Sequence, residues 1–139
     1  MIIPKVQFTI CPLNETINMI DYFLTIDNDE PNYSKTIFAV YPELETKLES
    51  YKDKNKRRNC ISSFLTTSFN KEIFTMEKKA KIFQEEWNKV NKEIMSTLSE
   101  IVEKKWAKKD KIIHARLSLN PIAPRYLEKR TFDIFYMEK

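Results

Sequence analysis

The side chains able to do chemistry are few. The chain has one histidine, His114, and two cysteines, Cys11 and Cys60. A zinc site draws three or four His, Cys or carboxylate ligands at motif spacing, and nothing in these intervals reproduces one, so no metal and no other cofactor is expected. A Cys–His nucleophilic pair is equally unsupported, because both cysteines sit in apolar stretches rather than polar ones. Their wide separation is far from the dense spacing of a secreted disulfide scaffold, so they read as reduced, buried thiols. His114 lies in an alternating stretch and reads as an ordinary strand residue. Carboxylates gather at Glu85 with Glu86 and at Asp27 with Asp29 and Glu30. Adjacent helical residues do not face each other, and an acidic loop is commonly just hydrated, so neither group reads as an acid–base pair or a cation site.

The candidate anion-binding residues are Lys52, Lys54, Lys56, Arg57 and Arg58, with Lys104, Lys105, Lys108 and Lys109 further on; Tyr51 and Trp106 flank them as stacking groups. The formal net charge of +4 conceals an asymmetry: residues 1–50 hold 3 basic and 8 acidic side chains, residues 51–139 hold 21 and 12. A basic C-terminal part permits an acidic partner such as nucleic acid without requiring one. Many of the lysines alternate with glutamate along helical stretches, which is the pattern of a solvated helix surface. No RNA-binding aromatic motif or recognition-helix pattern accompanies the charge, so nucleic acid is only weakly indicated as a partner.

The 139 residues include no glycine at all, where average usage of roughly 7% would supply about ten. That excludes phosphate-cradling loops, the dinucleotide-binding turn, the nucleophile elbow and the EF-hand loop, all of which need a residue without a Cβ. Hydrophobic residues at 42% and charged residues at 32% describe an ordinary globular chain with one core, a single domain over 1–139. No stretch approaches the ~20 apolar residues of a membrane span. There is no signal peptide's charged start and apolar run, and the expected location is cytoplasmic.

The elements that must position these residues follow from periodicity. Lys5 to Cys11 alternates Val6, Phe8 and Ile10 against polar neighbours and predicts a half-buried strand, ended by Pro12. Asn14 is a candidate N-cap for a helix from Glu15 that puts Ile17, Ile20 and Leu24 on one face. Asp27 to Asn32 reads as a polar loop. Thr36 to Tyr41, short and β-branched, predicts a second strand buried on both faces. Pro42 starts a helix bearing Leu44, Leu48 and Tyr51. Lys52 to Arg58 reads as a basic connector, after which Asn59 caps a helix carrying Ile61, Phe64 and Leu65. Ile73, Ala80, Trp87, Ile94 and Ile101 then recur every seven residues, with Met76, Phe83 and Val90 in the intervening positions, predicting a seam on a helix from about Lys71 to Trp106. Such a helix is about 54 Å long, against about 37 Å for a compact domain of this size; it must bend, break, project or lie along a partner. Neither proline nor glycine occurs between Glu43 and Asn120 to mark a break. Ile113, Ala115, Leu117 and Leu119 alternate with Ile112, His114, Arg116 and Ser118 in a third strand, Asn120 to Pro124 forms a stiff turn, and Thr131 to Tyr136 makes a last strand. The expected fold is α+β: a small sheet of about four strands packed on one face by several helices, one of them very long.

The segment Arg116 to Lys139, RLSLNPIAPRYLEKRTFDIFYMEK, with the opening FTICPLNETINMIDYFL and the stretch FQEEWNKV from Phe83, resembles the N-terminal part of a family of mostly uncharacterised bacterial proteins that look like small gluzincin-type metallopeptidases. The resemblance covers nearly the whole chain in patches and is most specific at Asn120 to Leu127. In that family the segment like Asn120 to Tyr136 leads into a helix with a His-Glu-x-x-His motif, two histidines holding zinc and the glutamate taking a proton from bound water. This sequence contains no such motif, so no catalytic or metal residue carries over and no hydrolysis is expected of this polypeptide alone. The resemblance implies a zincin-like scaffold domain whose last strand, Thr131, Phe132, Asp133, Ile134, Phe135 and Tyr136, forms an exposed edge that pairs with a peptide or with a missing C-terminal half. The alternative is a small basic intracellular module, of mobile-element origin, that binds a protein or nucleic acid through its basic face or long helix. No membrane partner is expected, and the oligomeric state is left open.

Overall fold

The computed structural model describes residues 2–26 and 31–137. The acidic group Asp27, Asp29 and Glu30 lies outside the described residues. The order of elements is β1 (Lys5–Ile10), α1 (Leu13–Thr25), α2 (Tyr33–Val40), α3 (Pro42–Leu48), α4 (Lys54–Val102), a single 3₁₀ turn at Lys108–Asp110, β2 (Ile112–Ser118), β3 (Arg125–Leu127) and β4 (Thr131–Phe135). The fold is α+β, a four-stranded sheet with four helices, one of them very long.

The sheet runs β1-β2-β4-β3. β1, β2 and β4 are parallel neighbours, and β3 folds back antiparallel on β4. Three of the four expected strands are present. The fourth is not Thr36–Tyr41, of which Thr36 to Val40 belong to helix α2 and Tyr41 is its C-cap. A short apolar run is ambiguous between strand and helix, and here the capping chemistry decides: the Asn32 side chain accepts from the Lys35 N–H at 3.0 Å, and burial follows the helical spacing Tyr33, Ile37, Tyr41.

Two other boundaries move. Helix α1 begins at Leu13 with Pro12 at its N-cap rather than Asn14. The basic connector does not exist as such: Asp53 accepts from the Lys56 N–H at 3.1 Å and starts α4, so Lys54 to Arg58 form its first turns and Asn59 lies inside it. The two helices expected after Asn59 are one helix of 49 residues, about 74 Å long.

Its length is accounted for by two successive partners. Ile61 and Leu65 are buried in the larger core with Ile17 and Ile20 of α1, Ile37 of α2 and Leu44 and Leu48 of α3. Further along, α4 packs against β1, and Trp87 and Met95 join Val6, Ala115, Phe132 and Trp106 in a second cluster. The seven-residue seam is followed only in part. Met76 and Ala80 are buried, but Ile101 is 71% exposed, because a straight helix drifts about 20° per heptad away from a seven-residue repeat. Met95 and Ser99 take over as the buried positions of the last turns.

β1 is an edge strand, and the outward main-chain groups from Pro4 to the Phe8 N–H are paired by side chains of α4. The Gln84 carboxamide accepts from the Phe8 N–H at 2.8 Å and donates to the Val6 carbonyl at 2.9 Å. Two helical turns later, Asn91 accepts from the Val6 N–H at 3.2 Å and donates to the Pro4 carbonyl at 2.8 Å. Each carboxamide takes the place of one peptide unit of a neighbouring strand, so the edge is closed from Pro4 to the Phe8 N–H without another strand.

The absence of glycine shows in the backbone. Glu103, Lys129 and Arg130 adopt positive φ, at 55°, 58° and 53°. Glu103 ends α4 in a Schellman arrangement, its N–H bonding to Glu100 and that of Lys104 to Ser99, the place where glycine is usual. Glu103→Gly and Lys129→Gly are each expected to raise stability by about 0.5–1 kcal/mol, the left-handed strain removed outweighing the extra freedom of the unfolded chain. Urea unfolding midpoints check this; a lower midpoint in both variants contradicts it.

Candidate functional site

Two places combine polar chemistry with defined geometry. The first is a row of side chains across all four strands on one face of the sheet. The register aligns Thr9 of β1, Arg116 of β2, Asp133 of β4 and Arg125 of β3. Arg116 holds Asp133 through two parallel bonds, Nε to Oδ1 at 2.7 Å and Nη2 to Oδ2 at 3.1 Å, and reaches Glu15 of α1 with Nη1 at 2.9 Å. The Arg116 side chain is 13% exposed and Asp133 2%. Partial burial works against the guanidinium's charge, but the bonds to Asp133 prevail and hold it protonated well above its ordinary range. Arg125 lies 4.9 Å over the Phe23 ring, which ties β3 to α1.

Cys11, at the end of β1, joins this row. Its thiol lies 3.7 Å from Asp133 Oδ2 and accepts from the Thr16 hydroxyl at 3.4 Å. Burial pushes it up to about 11, the Thr16 bond works the other way, and the Asp133 carboxylate adds to the rise. A thiol so protected is a poor nucleophile at neutral pH. The cluster therefore works as a lock between α1 and the sheet, and its donors and acceptors are already matched to one another. Iodoacetamide at neutral pH is expected to modify half-buried Cys60 and to spare Cys11 until the chain unfolds, as read by intact-mass spectrometry. Similar rates at both sites contradict this. Because the folded thiol ionises later than the unfolded one, its contribution is intact below pH 9 and is lost as pH rises from 9.0 toward about 11.

The second place is the β3 edge. The edge expected at Thr131 to Tyr136 is not one: β4 lies between β2 and β3, with Thr131, Phe132 and Asp133 paired on both sides. The outer strand is Arg125–Leu127, three residues too short to show an alternation and preceded by Pro124, so period-2 reasoning passes over it. Its Tyr126 is 79% exposed.

The basic residues do not form one surface. Lys54 to Arg58 and Lys104 to Lys109 sit at opposite ends of α4, about 70 Å apart. Two of the first group serve the fold: Arg57 donates to the carbonyls of Leu48 and Tyr51 at 3.0 and 3.1 Å, and Arg58 pairs with Asp21 at 3.1 Å. Trp106 is committed as well, its indole N–H donating to the Met95 carbonyl at 3.0 Å. Lys56 instead lines a cleft of about 560 Å³ between α3 and α4, where the structure adds Lys47, Lys71 and Tyr51 to it. The sequence reading missed Lys47 and Lys71, which are isolated in the chain and meet Lys56 only through helix packing.

His114 sits in the middle of β2, in register with Gln7 and Thr131, and its main-chain N–H donates to the Arg130 carbonyl at 2.8 Å. Among the described residues no three His, Cys, Asp or Glu side chains are grouped as metal ligands. No helix among them is long and apolar enough to cross a membrane. No family model matches the chain, and neither a curated protein nor a solved structure matches it at a significant level.

Proposed function

We propose that the chain is a zincin-like scaffold domain, non-catalytic as it stands, that presents an open sheet edge to an extended peptide or to a C-terminal half carrying the metal helix. The observation that supports this reading is the asymmetry of the two edges: β1 is closed from Pro4 to the Phe8 N–H by Gln84 and Asn91, whereas β3 has a strand on one side only and an exposed Tyr126 beyond it. An added strand gains main-chain hydrogen bonds at β3 and finds both groups of Val6 and the N–H of Phe8 taken at β1. The pairing edge is thus Arg125–Leu127 in place of the last strand.

The test is a titration of ¹⁵N-labelled chain with a short lysine-flanked peptide of alternating threonine and valine. Amide shifts are expected at Arg125 to Leu127, and N-methylation of alternate peptide nitrogens is expected to abolish them. Shifts elsewhere only, or indifference to N-methylation, overturn the edge. The family reading is tested separately: an in-frame His-Glu-x-x-His within about 20 codons downstream of Lys139 supports it, and stoichiometric zinc in the purified chain contradicts a scaffold without a metal site.

A second reading, a basic binding module, draws on the Lys47, Lys56 and Lys71 cleft. Salt-dependent retention on nucleic acid, lost in a Lys56→Gln/Lys71→Gln variant, would favour it over the edge.

A further inference from the structure

We infer that the cleft where α4 meets the β1 edge is a binding site for a small dianion of the phosphate class. The cleft is about 560 Å³ and is lined by Lys5, Gln7, Gln84, Asn88, Lys92 and Ile112 among others, within the size range of small-molecule sites. It lies at the edge of the sheet opposite β3 and is independent of the peptide-pairing reading.

The polarity of this cleft is set by counting donors and acceptors. Gln84 must turn its oxygen to the Phe8 N–H and its nitrogen to the Val6 carbonyl. A carboxamide nitrogen has two hydrogens, and the second is given to Asn88 Oδ1 at 2.9 Å. Asn88 is thereby oriented: its oxygen is occupied from within and its NH₂ is left for the cleft. Asn91 is fixed in the same way, its oxygen accepting from Val6 and from the Trp87 indole N–H, its nitrogen donating to Pro4. The main chain of β1 thus dictates, through Gln84, that Asn88 presents donors.

Lys5 and Lys92, both exposed, line the cleft as well and bring two positive charges to it. Among the described residues no carboxylate lines it and neither lysine is in an ion pair. Two cations and an oriented NH₂ match a doubly charged, oxygen-rich ligand. A monocarboxylate leaves one ammonium unmatched.

The probe is inorganic phosphate, titrated into the ¹⁵N-labelled full chain at low ionic strength, with acetate as the monoanion and, as reporters, the Asn88 side-chain NH₂ signals together with the main-chain amides of Gln7, Asn88 and Lys92, which every variant retains. Saturable shifts at Asn88 with a Kd on the order of 1 mM are expected for phosphate, and at least tenfold weaker binding for acetate. Asn88→Asp replaces the donor by a carboxylate while leaving Gln84 and Asn91 in place. It is expected to weaken phosphate at least tenfold without lowering the melting temperature, and Lys5→Gln/Lys92→Gln to do the same. Lys47→Gln/Lys71→Gln, in the other cleft, is expected to bind as the parent chain does. Shifts that do not saturate, equal response to acetate, unchanged affinity in Asn88→Asp, or equal loss in the Lys47/Lys71 variant each overturn the site.

Discussion

Arg116→Met is expected to destabilise the chain by about 3–5 kcal/mol, because it leaves the Asp133 carboxylate, 2% exposed, without its counter-ion. That is a large share of the ~5–15 kcal/mol by which domains of this kind are stable. The remaining neighbours do not compensate. Glu15 carries the same sign as Asp133, and the Cys11 thiol at 3.7 Å is a weak donor. Asp133→Leu is expected to cost less than Arg116→Met, since Arg116 keeps Glu15, which is 46% exposed. The double variant Arg116→Met/Asp133→Leu is expected to be more stable than Arg116→Met alone, because most of the penalty belongs to an orphaned charge rather than to the lost attraction. Denaturant unfolding of the four chains gives the cycle. Additive single effects would contradict a coupled pair and reduce the row to ordinary surface charge.

The second large effect is expected at the β1 edge. Gln84→Leu/Asn91→Leu keeps side-chain bulk and removes all four bonds to Pro4, Val6 and Phe8. Each buried main-chain group left unpaired costs about 1–3 kcal/mol. Water reaches part of this edge, so a total near 3 kcal/mol is expected for the double variant. Amide hydrogen exchange separates this cause from simple repacking. In the parent chain the Val6 and Phe8 amides are expected to be protected although they point away from the sheet. In the variant their protection falls further than that of Ile113 to Leu117 in β2. Fast exchange of Val6 and Phe8 in the parent chain contradicts the pairing.

The residues that decide the candidate sites differ sharply in how legible they were. Strand β1, strand β2 and strand β4 announce themselves by alternation, but burial follows it only in part: Ala115 and Leu117 of β2 are buried while Ile112 on the other face is exposed, whereas Ser118 of β2 and Asp133 of β4 are buried on the polar face. The region between Glu43 and Asn120, free of proline and glycine, reads as helix and is helix over most of its length. Thr36 to Tyr41 was misleading because its apolar run is too short to show a period. Arg125 to Leu127 was missed for the same reason, and its turn gave no warning, since Lys129 and Arg130 fill positions where Asn-Gly is the usual signal.

What the sequence determined by itself is the local part: which stretches alternate, where a helix meets no breaker, and that turns must be made without glycine. Those properties depend on neighbours within a few residues, and the chain carries them whether or not it is folded. Tertiary structure alone decided which strand is the open edge, which carboxamides close the other edge, and that Arg116 belongs to Asp133. The partners of Phe8 and Arg116 lie 76 and 101 residues away at Gln84 and Glu15. An isolated glutamine or arginine has no period to betray its role. Its meaning is set by the unpaired peptide group or buried charge it meets once the 49-residue helix and the parallel sheet have brought them together.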